Sequence, residues 1–545
     1  MKKVLALLLA FVMVLSLAAC GGGGEAAKPD NSGSADNSTS NTTPDSAPAD
    51  TSNESSGAKD TLNVAFSQDR GTLDPCYCIG YDVLNACRNM YEGLWEWTAD
   101  GQQEWILATG IDFVSDTCWH IHLREGVKFT NGNPFTAEDA MFSIDKANHR
   151  TGEPDYLPYL DSMQVIDEYT LELNFTQYDL SYIYSMPSLM MFDAESYDED
   201  KIALNPNGTG PYVLTNYVVN SEVNMTLKDA ADYWGELPAI KNINFKLFTE
   251  SSQITNAIVT GQIDVATVPL TDVEYVQDSG IFNVDIGNAT YSMTRALYFN
   301  TSEYSQFANN VKARQAIAMA IDTQAILDIA YNGYGAVSAL PCSSQCIDVV
   351  DSLKGYGVYG TGYDPEGAKA LAEEAGIVGK TFTMNTNGTS DAIATAELIQ
   401  IDLEAIGVHV EINNLDAGSW LSYAFDPQKA GDFFVDFTSE PSGTVCQALS
   451  CWYLYALGGG YITSNLEDCP DLTNAQMLEL SNKAMSVADE GERAKNNEIM
   501  NKFVTDNMLW YSLVDQVSAI GYAKALNGFR IFMAGNVDYK SLSWN

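Results

Sequence analysis

In the stretch Cys118 to Leu123, apolar Trp119, Ile121 and Leu123 alternate with polar His120 and His122, the period-two pattern of a strand with one buried face. The chain then turns at Gly126. Val127 and Phe129 bracket Lys128 in a short second run, and Asn131-Gly132 and Asn133-Pro134 supply turn chemistry. Thr136 follows as the expected cap of a helix that carries Glu138 and Asp139 in its first turn. The pattern predicts strand, turn, strand, turn and capped helix: a compact α/β unit.

The same reading extends along the chain. Leu62, Val64 and Phe66 mark a first strand, and Val83, Leu84, Cys87, Met90 and Leu94 mark a helix ending near Trp95 and Trp97. Leu171, Leu173 and Phe175 alternate as in a hairpin, two further runs flank Asn220-Ser221, and residues 243–248 read as a strand. Ser251 or Ser252 is placed to cap a short helix closed by Gly261. From about residue 300 to about 515 helices dominate and alternate with short strands, as an α/β layer requires. Asp364-Pro365 and Gly376 bracket one helix with a capping residue, a first-turn proline and a terminating glycine. Lys380 to Asn385, Asp391 to Glu404 and Val408 to Asn413 then read as a β-α-β unit. No internal repeat is evident.

The N-terminal part has a different composition. Lys2-Lys3 precedes a nearly unbroken apolar run from Val4 to Leu17, too short to span a membrane at the roughly 20 residues required. Leu17-Ala18-Ala19-Cys20 resembles a bacterial lipoprotein processing site, which implies a signal peptide over 1–20, cleavage before Cys20 and lipid on its sulfur. Residues 21–59 are almost without large apolar side chains and read as a disordered tether. Its r.m.s. reach as a flexible coil is about 35 Å. No later stretch is apolar for long enough to cross a membrane.

Several phrases in the body, taken in order, resemble the extracytoplasmic solute-binding proteins of ABC importers, family 5, the oligopeptide, dipeptide and nickel class. They are Thr72-Leu73-Asp74-Pro75, Tyr91-Glu92-Gly93-Leu94, the Leu123 to Asp139 stretch, Gly208-Thr209-Gly210-Pro211-Tyr212 and Asp232-Tyr233-Trp234. Phe299-Asn300-Thr301, Tyr363-Asp364-Pro365, Ala396 to Gln400 and Gly528-Phe529 continue the series. The resemblance implies an α/β, two-lobed periplasmic-binding-protein-like fold (type II, cluster C) with an extra subdomain. It places the solute-binding body at 60–545. Lobe I is expected over about 60–98, 206–295 and 516–545, the extra subdomain over about 99–205, and lobe II over about 296–515.

Composition narrows the chemistry. With 28 basic against 72 acidic residues and a formal charge of −44, nucleic acid is excluded as a partner, because phosphate binding needs basic patches. The charge reads as a solvated surface. Gly379-Lys380-Thr381 ends like a phosphate loop, but Glu374 stands where that motif needs glycine. No G-x-S-x-G or H-E-x-x-H occurs, and the four histidines are His120, His122, His149 and His409. His120 and His122 share a strand face and read as its exposed polar side; no metal or cofactor is expected. Setting Cys20 apart from the ten cysteines leaves nine, an odd number, so at least one thiol is unpaired within the chain. The spacings of Cys342/Cys346 and Cys446/Cys451 admit local disulfides.

Ligand contacts follow from the resemblance alone. Cys76, Tyr77, Cys78 and Ile79 resemble a family segment along the cleft, where an extended peptide can pair as an added strand. In peptide-binding members a carboxylate after the Gly431-Asp432-Phe433 strand holds the ligand's amino group; Glu440 is the candidate, with Ser439 and Phe437 beside it. Trp452 and Tyr453 are candidate aromatic walls, and Thr386 lies where dipeptide-type members carry an arginine nearby. The neighbourhood Asn385-Thr386-Asn387 has none, and an unpaired carboxylate in a dry cleft is costly, so longer peptides or an uncharged polar solute fit better than dipeptides. The expectation is a lipid-anchored binding protein on the outer face of the bacterial cytoplasmic membrane, not an enzyme. It hands an oligopeptide to an ABC permease and its ATPase subunits by hinge closure. A peptide sensor without uptake and an extracellular hydrolase of peptides or glycans are the alternatives.

Overall fold

The computed structural model describes residues 59–545 except 79–82, 151–154, 288–292, 347, 416–418, 425, 440–443, 446–448, 450–473 and 534. Two large sheets organise them. The first has seven strands in the order Phe282–Ile286, Ala519–Ala523, Val265–Thr267, Thr61–Phe66, Asn242–Leu247, Glu222–Leu227 and Tyr212–Val218. The second has six, in the order Ala336–Val337, Trp510–Asp515, Met293–Phe299, Phe433–Ser439, Thr381–Thr386 and His409–Asn414. Each sheet is covered on both faces, as an α/β layer demands. In the second, Leu297 and Phe299 face one buried cluster while Ala296 and Tyr298 face another.

A four-stranded antiparallel sheet (Ala108–Ser115, Cys118–Leu123, Thr170–Phe175, Leu160–Asp167) forms a smaller layer. Trp119, Ile121, Leu123, Leu171, Leu173 and Phe175 point inward, as their alternation predicts. Helix Ala137–Asn148 starts where expected, with the Asp139 carboxylate accepting the Thr136 N–H at 2.8 Å and the Thr136 hydroxyl at 2.9 Å. The expected strand at Val127–Phe129 is only a single bridge, Lys128 to Pro134, because the turns on either side leave no length for a ladder. Helix Pro365–Glu374 carries its predicted signals, the Asp364 carboxylate accepting from the Gly367 N–H at 2.9 Å and Gly376 taking φ +70°. The parallel strands Thr381–Thr386 and His409–Asn414 flank helix Ser390–Ala405.

Two crossovers form a neck that joins the large sheets. One leads from Phe282–Ile286 to Met293–Phe299, the other from Trp510–Asp515 to Ala519–Ala523. They run side by side: Ile286 pairs with Ala519, Thr294 with Asp515, and the Gly287 N–H donates to the Ser518 carbonyl at 3.2 Å. Among the described residues no helix is long and apolar enough to cross a membrane.

Candidate functional site

Strand direction locates the site. In the seven-stranded sheet Thr61–Phe66, Asn242–Leu247 and Val265–Thr267 run parallel, and their carboxyl ends lie at the edge from which the crossovers leave. In the six-stranded sheet Thr381–Thr386, His409–Asn414 and Phe433–Ser439 are parallel. Register carries Ser439 opposite Met293, and Thr386 beside Val435 and Asn414, so these carboxyl ends also face the neck. Open α/β sheets bind ligands beyond the carboxyl ends of their strands, and here two such edges meet at the same pair of crossovers.

A charged cluster sits at this edge. Arg295 is buried, and its guanidinium pairs with the Asp391 carboxylate and donates to Tyr331 Oη at 3.0 Å. Gln516, in the second crossover, reaches Asp391 Oδ2 at 3.2 Å and Tyr331 Oη at 3.3 Å. Burial alone would raise the Asp391 carboxyl, but the Arg295 guanidinium and a hydrogen bond from Thr389 outweigh it and hold the group below the usual carboxylate range. Burial works equally against the Arg295 charge, which Tyr331, Asp391 and Asp436 more than restore. Alongside, the buried Asp515 carboxylate accepts from Thr294 Oγ1 at 3.2 Å, Ser338 Oγ at 2.7 Å, and the Ser344 N–H and hydroxyl at 3.0 and 2.6 Å. Gln516 thus ties the second crossover to the six-stranded body.

The sequence-predicted residues divide. Thr386 and the backbone of Phe437 and Ser439 lie at the neck-facing edge. The Thr386 hydroxyl is buried, donating to Asn414 Oδ1 at 3.0 Å and accepting from the Gly388 N–H at 3.1 Å, so it shapes the turn into the helix. The Cys76 segment needs correction. Pro75–Cys78 is a helical turn, not an extended strand, and the Cys76 and Cys78 side chains are buried in the core. The Cys76 N–H donates to Asp74 Oδ1 at 2.9 Å and its carbonyl accepts from Arg150 at 3.2 Å, leaving no free ladder for an added strand there. Tyr77 is half-buried. Ile79, Glu440, Trp452, Tyr453 and Cys20 lie outside the described residues, as do Cys446 and Cys451. Cys342 is a thiol, so the expected local bridge to Cys346 is not formed. Arg295, Tyr331, Asp391 and Gln516 were not anticipated, although a lone arginine in the buried run Thr294-Arg295-Ala296-Leu297 is itself a signal.

Residues 106–443 match the model of the bacterial extracellular solute-binding proteins, family 5 (middle). The chain is 27% identical over 383 residues to the glutathione-binding protein GsiB of Salmonella typhimurium, covering 66% of this chain and 70% of that one. It is 26% identical over 391 residues to the nickel-binding periplasmic protein of Escherichia coli, covering 65% and 71%. The oligopeptide-binding protein AppA of Bacillus subtilis, solved with a nonapeptide, superposes with a TM-score of 0.71 over 90% of this chain and 100% of its own, at 17% identity.

Proposed function

Because this chain belongs to the bacterial extracellular solute-binding proteins of family 5, and so serves an ABC importer outside the cytoplasm as a binding protein and not an enzyme, we propose that its solute is an oligopeptide. The observation that carries this reading is the pair of strand carboxyl edges turned toward one double crossover, the place where open α/β sheets take a ligand. We assign lobe I to about 60–98, 206–295 and 516–545, the subdomain to about 99–205 and lobe II to about 296–515. The strand memberships of the two large sheets and the small one support this division, except that Met293–Phe299 belongs whole to the six-stranded sheet, which puts Arg295 with lobe II.

Peptide is favoured over nickel by where the imidazoles stand. His120 and His122 are on the small sheet, His149 ends helix Ala137–Asn148, and His409 begins its strand, at the end far from the neck. None is at the cleft edge. A relative that binds glutathione and a fold neighbour that binds a nonapeptide point the same way. The contacts we propose are Tyr77, Ile79, Phe437, Ser439, Trp452 and Tyr453, with Glu440 receiving the amino terminus and Thr386 holding the turn beside it. Lipid on Cys20 tethers the body to the outer face of the cytoplasmic membrane.

Titrating peptides of two to ten residues into the purified protein while following small-angle scattering tests the reading. Peptides longer than two residues should compact the particle and be recovered intact. No compaction with any length would overturn it. Glu440→Gln should weaken binding at least tenfold, and Cys20→Ser should release the protein from membranes.

A further inference from the structure

The small sheet has a second face, away from its core. Trp119, Ile121, Leu171 and Leu173 fill the inner face, so alternation sets Cys118, His120 and Glu172 on the outer one. Glu172 is the cross-strand partner of His120. One donor atom from each of the three lies within 4.8 Å of the other two. His120 Nε2 is 2.8 Å from Glu172 Oε2, while Asn174 Nδ2 donates to Glu172 Oε1 at 2.8 Å and fixes the carboxylate's orientation. Among the described cysteines, Cys118 alone is not fully buried.

We propose that Cys118, His120 and Glu172 form a binding site for a divalent transition-metal ion of the zinc class. Thiolate, imidazole and carboxylate are the donors zinc takes, and three protein ligands with one open position is a stable arrangement for it. In tetrahedral geometry, with bonds of about 2.0–2.1 Å to nitrogen and oxygen and about 2.3 Å to sulfur, donors stand about 3.3–3.6 Å apart. The His120–Glu172 pair therefore opens by about half an ångström and the thiol closes by at most about one, which side-chain rotation accommodates. Asn174 then supplies the outer hydrogen bond that orients a ligating carboxylate. The fourth position belongs to water, since the His122 Nε2 two residues along the same face is taken by Asp112 Oδ2 at 2.8 Å. Side-chain exposures of 28% for His120 and 21% for Glu172 give the ion a path from solvent.

Binding replaces the thiol proton with the metal. Loading therefore releases a proton. The bound ion clips strands Cys118–Leu123 and Thr170–Phe175 together, on a sheet that contributes no strand to the solute cleft.

Cobalt(II) titrated into the chelator-stripped full chain, without a polyhistidine tag, tests the assignment. One equivalent should bind with a sulfur-to-cobalt charge-transfer absorption, and zinc should displace it. Cys118→Ser should abolish that absorption, and His120→Gln and Glu172→Gln should each weaken cobalt binding at least tenfold, with unchanged melting of the metal-free protein. Absence of stoichiometric binding, an absorption that survives Cys118→Ser, or wild-type affinity in both other variants would overturn the site and leave an ordinary His–Glu pair.

Discussion

Two buried charge clusters, one in each large body, are built alike and placed differently. In the first, Glu92 accepts from Thr209 Oγ1 at 3.0 Å, Tyr233 Oη at 2.9 Å, Trp234 Nε1 at 2.9 Å and Lys540 Nζ at 3.1 Å. Its four donors come from three distant parts of the chain and weld one body. Gly208 and Gly210 pass so close that an added Cβ would stand 2.3 Å from the Met90 carbonyl and 2.5 Å from that of Asn89. In the second, Arg295, Tyr331 and Asp391 belong to the other body, and Gln516 brings in the crossover. The first cluster fixes a lobe. The second touches the crossover between the sheets. The phrases most readily recognised in the sequence, around Glu92, Thr209 and Trp234, therefore build the scaffold.

Breaking the first cluster should cost most. Glu92→Ala leaves the Lys540 ammonium without its buried partner, a change worth about 3–5 kcal/mol, visible in chemical denaturation, with solute affinity of the folded fraction unchanged. Burial would raise the Glu92 carboxyl, but Lys540 and the hydrogen bonds from Trp234 and Tyr233 hold it below its ordinary range. Its stabilisation is therefore complete above the unfolded value of about 4.3 and lost as pH falls through the lower folded value, so Glu92→Gln should flatten the acid limb of the melting profile.

Lys228 tests the same cluster from the alkaline side. Burial pushes its ammonium down to about 8 despite Glu92 and Asp232 nearby, and its Nζ donates to the Gly208 carbonyl at 3.1 Å. Between about pH 8 and its unfolded value near 10.4 the unfolded chain binds more protons than the folded one, so stability rises with pH. The difference in unfolding free energy between wild type and Lys228→Met should grow over that window by on the order of 3 kcal/mol.

In the second cluster Asp391→Asn should cost about 2 kcal/mol of stability, the scale of a hydrogen bond to a charged group. The comparison predicts that it also changes solute affinity or the rate of closure, as Glu92→Ala does not; stopped-flow fluorescence would read this. The smallest effect concerns Cys342. Its removal as Cys342→Ala should lower stability by about 1 kcal/mol, whereas losing a disulfide typically costs about 2–4 kcal/mol, and reductant should leave the melting temperature unchanged.

Local signals made much of the fold legible. Caps at Thr136 and Asp364 and the alternations at Leu62, Trp119 and Leu171 carry their meaning within a few residues. Where tertiary packing decides, they fell short. The helix read through Leu94 stops at Met90, because the Leu94 carbonyl accepts from the Ile106 and Ala108 N–H groups at 3.1 and 2.9 Å. The Cys76 segment coils because the Asp74 side chain and carbonyl take its first N–H groups. Thr386 stands at its strand's carboxyl end, a position that can be read from a β-α-β pattern. Arg295 and Gln516 escaped because their meeting depends on two crossovers 221 positions apart in sequence, a distance set by the pairing of Thr294 with Asp515.

The most direct measurement is to denature the purified full chain and identify by mass spectrometry the small molecules it releases. Tight solutes survive purification, since ligand at a hundredfold its dissociation constant adds about 2.7 kcal/mol of stability. A set of peptides of similar length is the predicted result. A single non-peptide compound would contradict the oligopeptide assignment and the role given to Glu440, while leaving the hinged fold in place.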